Sequence, residues 1–507
     1  MRVAISYPPI VNELGQVAMV SQNRNVQYFV APTYLLPVVH AQAATWLRDL
    51  GHEVYWDDGN AQRKPFDQWH NDLLAWKPQM VVFESTTPVM KFYWRLISRL
   101  KQEMPDCILV LTGYHSMRRP DETMKACPVD IVLRSNHVDF VLRELVPFIA
   151  SHPDWRDTCQ VDGLEIRQSA TQWRSTGPFK QVQPLDLSPD VDRDLVQWKN
   201  YAYENGNFLR TPGTYATSVI RDCTFGKCVF CRYNGPDLTF STRSIEKSLD
   251  EYQRLIEKYG VREIFDDSGV WYRGQQARQF CEGLIRRGLH KRGCYFGINT
   301  RFAYLDEETI RLMGKANFRF ILLGLEACDD ETLEHLNKGY HVEDVRQNLE
   351  WFTQYGMHPH LTVMVGYYWQ TQEQLDKTVA TVREFMFQGL ARTLQVTICT
   401  PLDFTPYHLE CIEKGVLLTD DYDDFDMSKI IVKTPIPHER YYEAIRQMYG
   451  IAFHPKFLLR QLAFLGSGRV RDWEFLFSYG WRALRRVRQH VFNLTEARTR
   501  GTGKAKG

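Results

Sequence analysis

The 507-residue chain has no apolar run that approaches the roughly 18 to 20 residues of a membrane-spanning helix; its longest are strand-sized. Charge of one sign is also missing. Lys and Arg number 62 against 61 Asp and Glu, a formal net charge of +1, which excludes a global electrostatic grip on nucleic acid but not a local patch. Cysteine is scarce, with eleven residues at irregular spacing, so reduced thiols in a soluble, cytoplasmic protein are expected rather than a disulfide framework. The start MRVAISYPPI reads as a strand running into prolines, not as a secretory leader. With 44% hydrophobic and 24% charged residues the chain reads as globular, and its length implies two or three domains.

Residues 1–150 alternate β-branched runs (RVAISY, EVYWDD, KPQMVVFEST, ILVLTGYHS, DIVLRSN) with helical stretches. That pattern predicts a doubly wound, Rossmann-like α/β domain with a parallel sheet. Ligands of such sheets sit beyond the strand carboxyl ends, which points to the loops STTP (85–88), TGYHS (112–116) and RSNH (134–137). Residues 151–205, rich in proline and charge without a sustained period, read as a linker. Residues 206–405 restart with six strand candidates, YATSVIRD, REIFDD, CYFGIN, RFILLGLE, HLTVMVG and TLQVTICTP. Separated by helices, they suit a partial or full β/α (TIM-like) barrel, whose chemistry lies at the strand C-terminal ends. Residues 406–507 read as a helical region with a basic tail; from 455 onward, twelve Lys or Arg face three acidic residues. Within it FLFSYGWRALRRVRQHVF reads either as an amphipathic helix packed on the barrel or as one lying on an anionic membrane.

Against this scarcity RDCTFGKCVFCRY (221–233) places Cys223, Cys228 and Cys231 within nine positions, in the loop after the first barrel strand. Three thiolates on one loop suit three corners of a cubane iron–sulfur cluster and leave the fourth iron open to a small molecule. Structural zinc uses four protein ligands, usually two separated pairs. There is no second Cys-x-x-Cys and no Cys-x-x-His, and Cys281, Cys294, Cys328, Cys399 and Cys411 are scattered singly. The neighbours Arg221, Asp222, Lys227 and Arg232 mark an exposed loop rather than core.

The chain resembles the radical S-adenosylmethionine enzymes, and among them the group with an N-terminal cobalamin-binding domain. Six strings carry the likeness in the family's order: DVDRDLVQWKNY, RDCTFGKCVFCRY, EIFDDSG, GLEACDDETLEHLNKG, MVGYYWQTQEQ and TICTPLDFTPYH. The family's common spacing is Cys-x3-Cys-x2-Cys, and one extra residue separates Cys223 from Cys228 here. The resemblance implies a [4Fe-4S] cluster on the three cysteines and S-adenosylmethionine chelating its open iron. Cleavage of the sulfonium bond by the cluster's electron would give a 5′-deoxyadenosyl radical. An external electron donor such as a ferredoxin or flavodoxin is implied with it.

By the same resemblance S-adenosylmethionine would be held at Asp267, Asn299, Arg301, Glu326, Lys338 and Gly366. Asp267 reads equally well as a helix N-cap paired with Ser268, and Lys338 as a surface charge. The relatives' usual proline and glutamate after Gly366 are Tyr368 and Gln370 in this chain. For cobalamin the implied positions are Ser85, Thr86, Thr87, Gly113, His115 and Arg134. No Asp-x-His-x-x-Gly supplies a cobalt ligand, and His115 and His137 read as hydrogen-bonding groups. Where relatives carry Arg-Gly-Glu-x-Glu the chain reads Arg134, Ser135, Asn136, His137, Val138, which leaves open a first domain that is a scaffold or substrate lid.

The expected function is therefore a cobalamin-dependent-type radical enzyme that methylates or oxidatively rearranges an unactivated carbon. The alternative is a radical cyclase or ring-remodelling enzyme that does not use cobalamin. An RNA-modifying iron–sulfur enzyme ranks below both, since only the basic C-terminus supports it, and no nucleic-acid partner is expected. Aromatics make up 13% of the chain, and Trp271, Tyr272, Tyr367, Tyr368 and Trp369 fall just past strands. They point to an apolar pocket and a small, lipid-like substrate, with peripheral membrane contact through the C-terminus.

Overall fold

A computed structural model describes residues 1–12, 15–21, 24–29, 33–179, 184–204, 206, 208–216, 220–221, 223–235 and 241–480. The N-terminal part contains β1 (Arg2–Tyr7), a hairpin of β2 (Val17–Ser21) and β3 (Arg24–Phe29), β4 (Glu53–Asp58), β5 (Met80–Glu84), β6 (Ile108–Thr112), β7 (Ile131–Leu133), β8 (Leu164–Arg167) and β9 (Trp173–Ser175). Apart from the hairpin they form one sheet in the order β4-β1-β5-β6-β7-β8-β9. The first five strands run parallel, and β8 and β9 are antiparallel. Helices cover both faces of the parallel strands, which is why β5, β6 and β7 are apolar and buried throughout rather than alternating. Strand order reverses between β1 and β5, the position where doubly wound sheets open a crevice.

The linker expectation needs correction, because residues 164–175 extend this sheet. Leu164 and Ile166 are fully buried, but four- and three-residue strands set among charges are too short to display a period. The rest of the stretch joins the two halves. Tyr201 donates to Asp58 (2.7 Å) and accepts from the Trp56 indole (3.0 Å). Arg193, with no exposed surface, donates to Thr214 (2.8 Å) at the start of the second sheet.

That second sheet comprises β10 (Gly213–Ala216), β13 (Glu263–Asp266), β14 (Tyr295–Thr300), β15 (Phe318–Glu326), β16 (His358–Val365) and β17 (Thr393–Ile398), all parallel and in chain order. After β10, a two-stranded ribbon of β11 (Ile220–Arg221) and β12 (Ser241–Thr242) flanks the cysteine loop. The intervening helices start where side-chain oxygens accept an orphaned backbone N–H: Ser244 from Lys247, Asp306 from Thr309, Thr371 from Gln374. Six parallel strands with outer helices make a partial β/α barrel.

The C-terminal region is helical, with helices Pro406–Glu413, His438–Gly450, Pro455–Ala463 and Val470–Glu474. One part clamps the first domain: Asp403 takes two hydrogen bonds from Arg119 (2.7 and 2.9 Å), and Tyr422 donates to Glu122 (2.8 Å). Another part closes the barrel's lower end. Asp472 pairs with His358 (3.0 Å) and Arg392 (2.9 Å) at the starts of β16 and β17, and Glu474 accepts from Tyr295 (2.8 Å) at the start of β14. The basic tail beyond 480, and most of the stretch read as a packed or membrane-lying helix, lies outside the described residues. No described helix is long and apolar enough to cross a membrane.

His115 sits in the clamp with no exposed surface, 3.2 Å from Thr87 and 3.8 Å from both Asp403 and Glu122, against the Tyr422 and Trp94 rings. Burial lowers its pKa to about 4, with Asp403 opposing and Arg119 assisting. The folded imidazole stays neutral while the unfolded one protonates below its ordinary value, so stability falls as pH drops from about 6.5 toward 4. The loss at pH 5 is about 2 kcal/mol. Urea unfolding at pH 7 and pH 5 should show that loss in the native chain and reduce it in His115→Gln.

Candidate active site

The cysteine loop occupies the space above β10 and is tied down on three sides. Cys223 forms a parallel bridge with Val270 beyond β13. Val229 donates to Leu336 (3.1 Å) and accepts from Tyr407 (3.0 Å), and the Lys227 carbonyl accepts from Asn234 (3.2 Å) and Asn337 (3.1 Å). None of the three is in a disulfide, and each residue is part-exposed. Burial pushes the Cys228 thiol up, against the pull of Lys338; Cys231 is raised further by burial and by repulsion from Cys228 and Cys223. A cationic group shared by the three would reverse that cost, since metal binding releases thiol protons. Among the described residues no three His, Cys, Asp or Glu side chains gather as ligands of one ion would. Ligands on separate corners of a cluster need not gather so tightly.

At the strand ends beside this loop, three successive residues carry buried polar atoms without partners among the described residues: Asn299 Oδ1, Thr300 Oγ1 and Arg301 Nη2. The Arg301 guanidinium lies 3.6 Å from the centroid of Phe225, inside the cysteine loop, and 8% of the residue is exposed. Its charge rests on an aromatic face rather than on a carboxylate. A ligand with a carboxylate and hydroxyls would satisfy all three atoms. Asp267 is also buried, with its Oδ1 3.4 Å from the Asn299 amide. It is not a helix cap: Ser268 donates instead to Asp266, and the next helix, Gly274–Arg286, begins after Arg273.

Lys338 is not a surface charge. It is 5% exposed and donates to Glu326 (3.0 Å), itself 7% exposed. Burial works most strongly against the ammonium, and Glu326, Tyr340 and Cys228 together outweigh it and hold the pKa above the usual lysine value. Glu326 ends β15 at φ 63°, a left-handed conformation uncommon for a side chain of its size. Gly366 closes β16 at φ 89°, where a Cβ would approach Ile430 of the C-terminal region to 3.1 Å. Its N–H donates to Gln370 (2.9 Å).

A narrow cavity of about 30 Å³ lies between this loop and the C-terminal edge of the first sheet. His40, Glu84, Gly113 and Tyr114 form the sheet side, and Arg232 and Tyr233, directly after Cys231, form the other. Of the six first-domain positions expected to hold a cofactor, Gly113 alone lines it. The Ser85 hydroxyl is used internally by Thr112 (3.0 Å) and Ser116 (2.8 Å), Thr86 is buried at the start of a helical turn, and Thr87 faces His115 in the clamp. Arg134 pairs with Glu165 on β8 (2.9 Å). Gly113 is required for the fold, since a Cβ there would lie 2.0 Å from the Ser85 carbonyl.

Sequence reasoning missed His40, Glu84 and Tyr114. Tyr7 donates to Glu84 (2.8 Å), whose carboxylate is 3.3 Å from His40 Nδ1, while His40 Nε2 is 2.9 Å from Thr112. The signal available was the topology, because β1, β5 and the helix between them meet at the switch point. The Tyr114 hydroxyl has no partner among the described residues.

Residues 217–382 match the Radical SAM superfamily. The chain is 27% identical over 369 residues to anaerobic magnesium-protoporphyrin IX monomethyl ester cyclase of Cereibacter sphaeroides, a match covering 72% of this chain and 57% of the cyclase. It is 22% identical over 408 residues to hopanoid C-3 methylase of Methylococcus capsulatus, covering 78% and 72%. Its fold matches the radical S-adenosylmethionine methyltransferase TsrM of Kitasatospora setae, solved with cobalamin and a [4Fe-4S] cluster, at TM-score 0.64, 15% identity and coverage of 89% and 88%. The cobalamin-dependent radical enzyme OxsB, solved with aqua-cobalamin and S-adenosylmethionine, matches at TM-score 0.67, 13% identity and coverage of 100% and 82%. Residues 217–382, with the thiol loop at the mouth of the partial barrel, therefore carry a radical SAM domain. The chain as a whole shares the two-domain fold of TsrM and OxsB.

Lys338→Met should lower unfolding stability by about 3 kcal/mol, because it strands the buried Glu326 carboxylate. Adding Glu326→Gln should recover part of that loss in the same denaturation experiment.

Proposed function

We propose that the protein is a cobalamin-dependent-type radical SAM enzyme that methylates or oxidatively rearranges an unactivated carbon of a hydrophobic small molecule. The observation that carries this reading is the cavity shared by the cysteine loop and the first sheet's carboxyl edge. A cluster, S-adenosylmethionine and a corrinoid, when bound, would supply a 5′-deoxyadenosyl radical and a methyl donor. Cys223, Cys228 and Cys231 would hold the cluster. Arg301 would take the methionyl carboxylate with its free Nη2, Asp267 would take the amino group through an ionised oxygen, and Asn299 and Thr300 would bind hydroxyls. Glu326 and Lys338 would keep the mouth rigid beside them. The unpartnered Tyr114 hydroxyl fits an amide of a corrinoid lying on the sheet edge.

Tyr367, Trp369 and His335 stack in sequence (5.0 and 3.8 Å) near the barrel mouth, which supports a planar or apolar substrate. The porphyrin and hopanoid relatives agree with that class. An external donor such as a ferredoxin or flavodoxin would reach the cluster from the side of Lys227, which is exposed. Eleven cysteines, none in a disulfide, fit a cytoplasmic setting.

A second reading, a cyclase or ring-remodelling enzyme without cobalamin, draws on Arg134, which is committed to Glu165 instead of the cavity. Anaerobic reconstitution with iron, sulfide and cobalamin, then reduction with S-adenosylmethionine present, tests both. Retention of a corrinoid through gel filtration, with 5′-deoxyadenosine and S-adenosylhomocysteine formed together, is expected. Deoxyadenosine without a retained corrinoid selects the second reading. Zinc, or no cluster absorbance, defeats both. Cys228→Ala should lose the cluster absorbance, and Arg301→Gln should weaken S-adenosylmethionine binding at least tenfold in equilibrium dialysis.

A further inference from the structure

The C-terminal segment carries a surface that the chemistry above does not use. On helix Pro455–Ala463, Leu459 is 66% and Leu462 50% exposed; further on, Val470 is 64%, Trp473 45% and Phe477 68% exposed. Trp473 and Phe477 stack on each other at 5.8 Å. Soluble surfaces scatter single apolar residues, but a group this large marks an interaction site. The same segment carries exposed Lys456, Arg460 and Arg469, none in an ion pair among the described residues; Arg460 donates to the Gln388 carbonyl and Arg469 to those of Thr353 and Gln354, contacts that leave their charges unneutralised. The segment's own described acids are spent elsewhere, Asp472 on His358 and Arg392 and Glu474 on Arg210. In sequence, Arg482, Arg485, Arg486 and Arg488 follow directly.

Exposed apolar side chains and unneutralised cations on one segment match an interface that is apolar inside and anionic outside. We propose that this face docks the enzyme peripherally on an anionic lipid bilayer. The segment closes the barrel's lower end through Asp472 and Glu474, so the cysteine loop faces away from the lipid. The face is an anchor and not the substrate's entrance. It does not depend on which reaction the barrel performs.

The full chain, carrying its cluster, would be sedimented with vesicles of phosphatidylcholine alone or mixed with phosphatidylglycerol. Binding to the mixed vesicles only, weakened by salt and reduced at least tenfold in Leu459→Glu/Phe477→Glu, is expected. Both positions are exposed, so iron content and circular dichroism should stay native. A protein that remains in the supernatant with both vesicles overturns the proposal. So does binding unchanged in the double variant but lost on deletion of 481–507, which would assign it to the tail. A dimer in analytical ultracentrifugation that the double variant breaks, without vesicle binding, would give the face to a second copy and overturn it as well.

Discussion

The architecture depends on bringing three cysteines onto one loop at the meeting point of two domains. Burial opposes ionisation of Cys228 and Cys231, and at Cys231 the other two sulfurs oppose it further, so the loop must be held in place by its surroundings. It is held by main-chain hydrogen bonds to Leu336 and Tyr407 and by two asparagine amides on the Lys227 carbonyl. Each contributes roughly 1 kcal/mol, and together they fix the loop from the barrel side while Arg232 and Tyr233 reach the first domain's cavity. One short segment therefore sets the distance between the two chemical compartments.

Electrostatics at the mouth divide between two cations in different states. Lys338 is matched by Glu326, so its charge is already satisfied and serves rigidity. Arg301 has Phe225 in place of an acid, and its Nη2 is left for an anion. The difference follows from local backbone: the bulge between Gly324 and Glu326 turns the glutamate toward Lys338 and away from β14. Had Glu326 paired with Arg301, the rim would offer no unpaired cation to a carboxylate ligand at that place.

The barrel was legible because its strands are buried, apolar and punctuated by capped helices, and the three cysteines stood out against a chain that uses the residue sparingly. What sequence hid was side-chain direction. Asp266 and Asp267 are adjacent acids, yet Ser268 donates to the first, while the second lies beside the Asn299 amide. The hydroxyls of Ser85 and Thr87 lie on the right loop, but the contact of Gly113 with Ser85 closes that loop on itself and consumes them. His40 precedes the crevice loops by more than forty positions, inside the apolar helix Val38–Asp49, and only the strand order brings it to the cavity. β8 and β9 were too short to show a period at all.

The lower end of the barrel is closed by charge rather than by an apolar plug. Arg319 pairs with Glu263, Arg392 and His358 share Asp472, and Arg210 pairs with Glu474. Such pairs add little net stability over packed apolar groups, but each leaves a costly orphan if the segment docks out of register. They therefore select one position for residues 469–475. With that position selected, the exposed apolar side chains of the same segment are held on the outside by the charges within. The surface chemistry of the C-terminus is thereby kept at the strand starts, opposite the end where the cysteine loop lies, so that neither compartment constrains the residues the other can use.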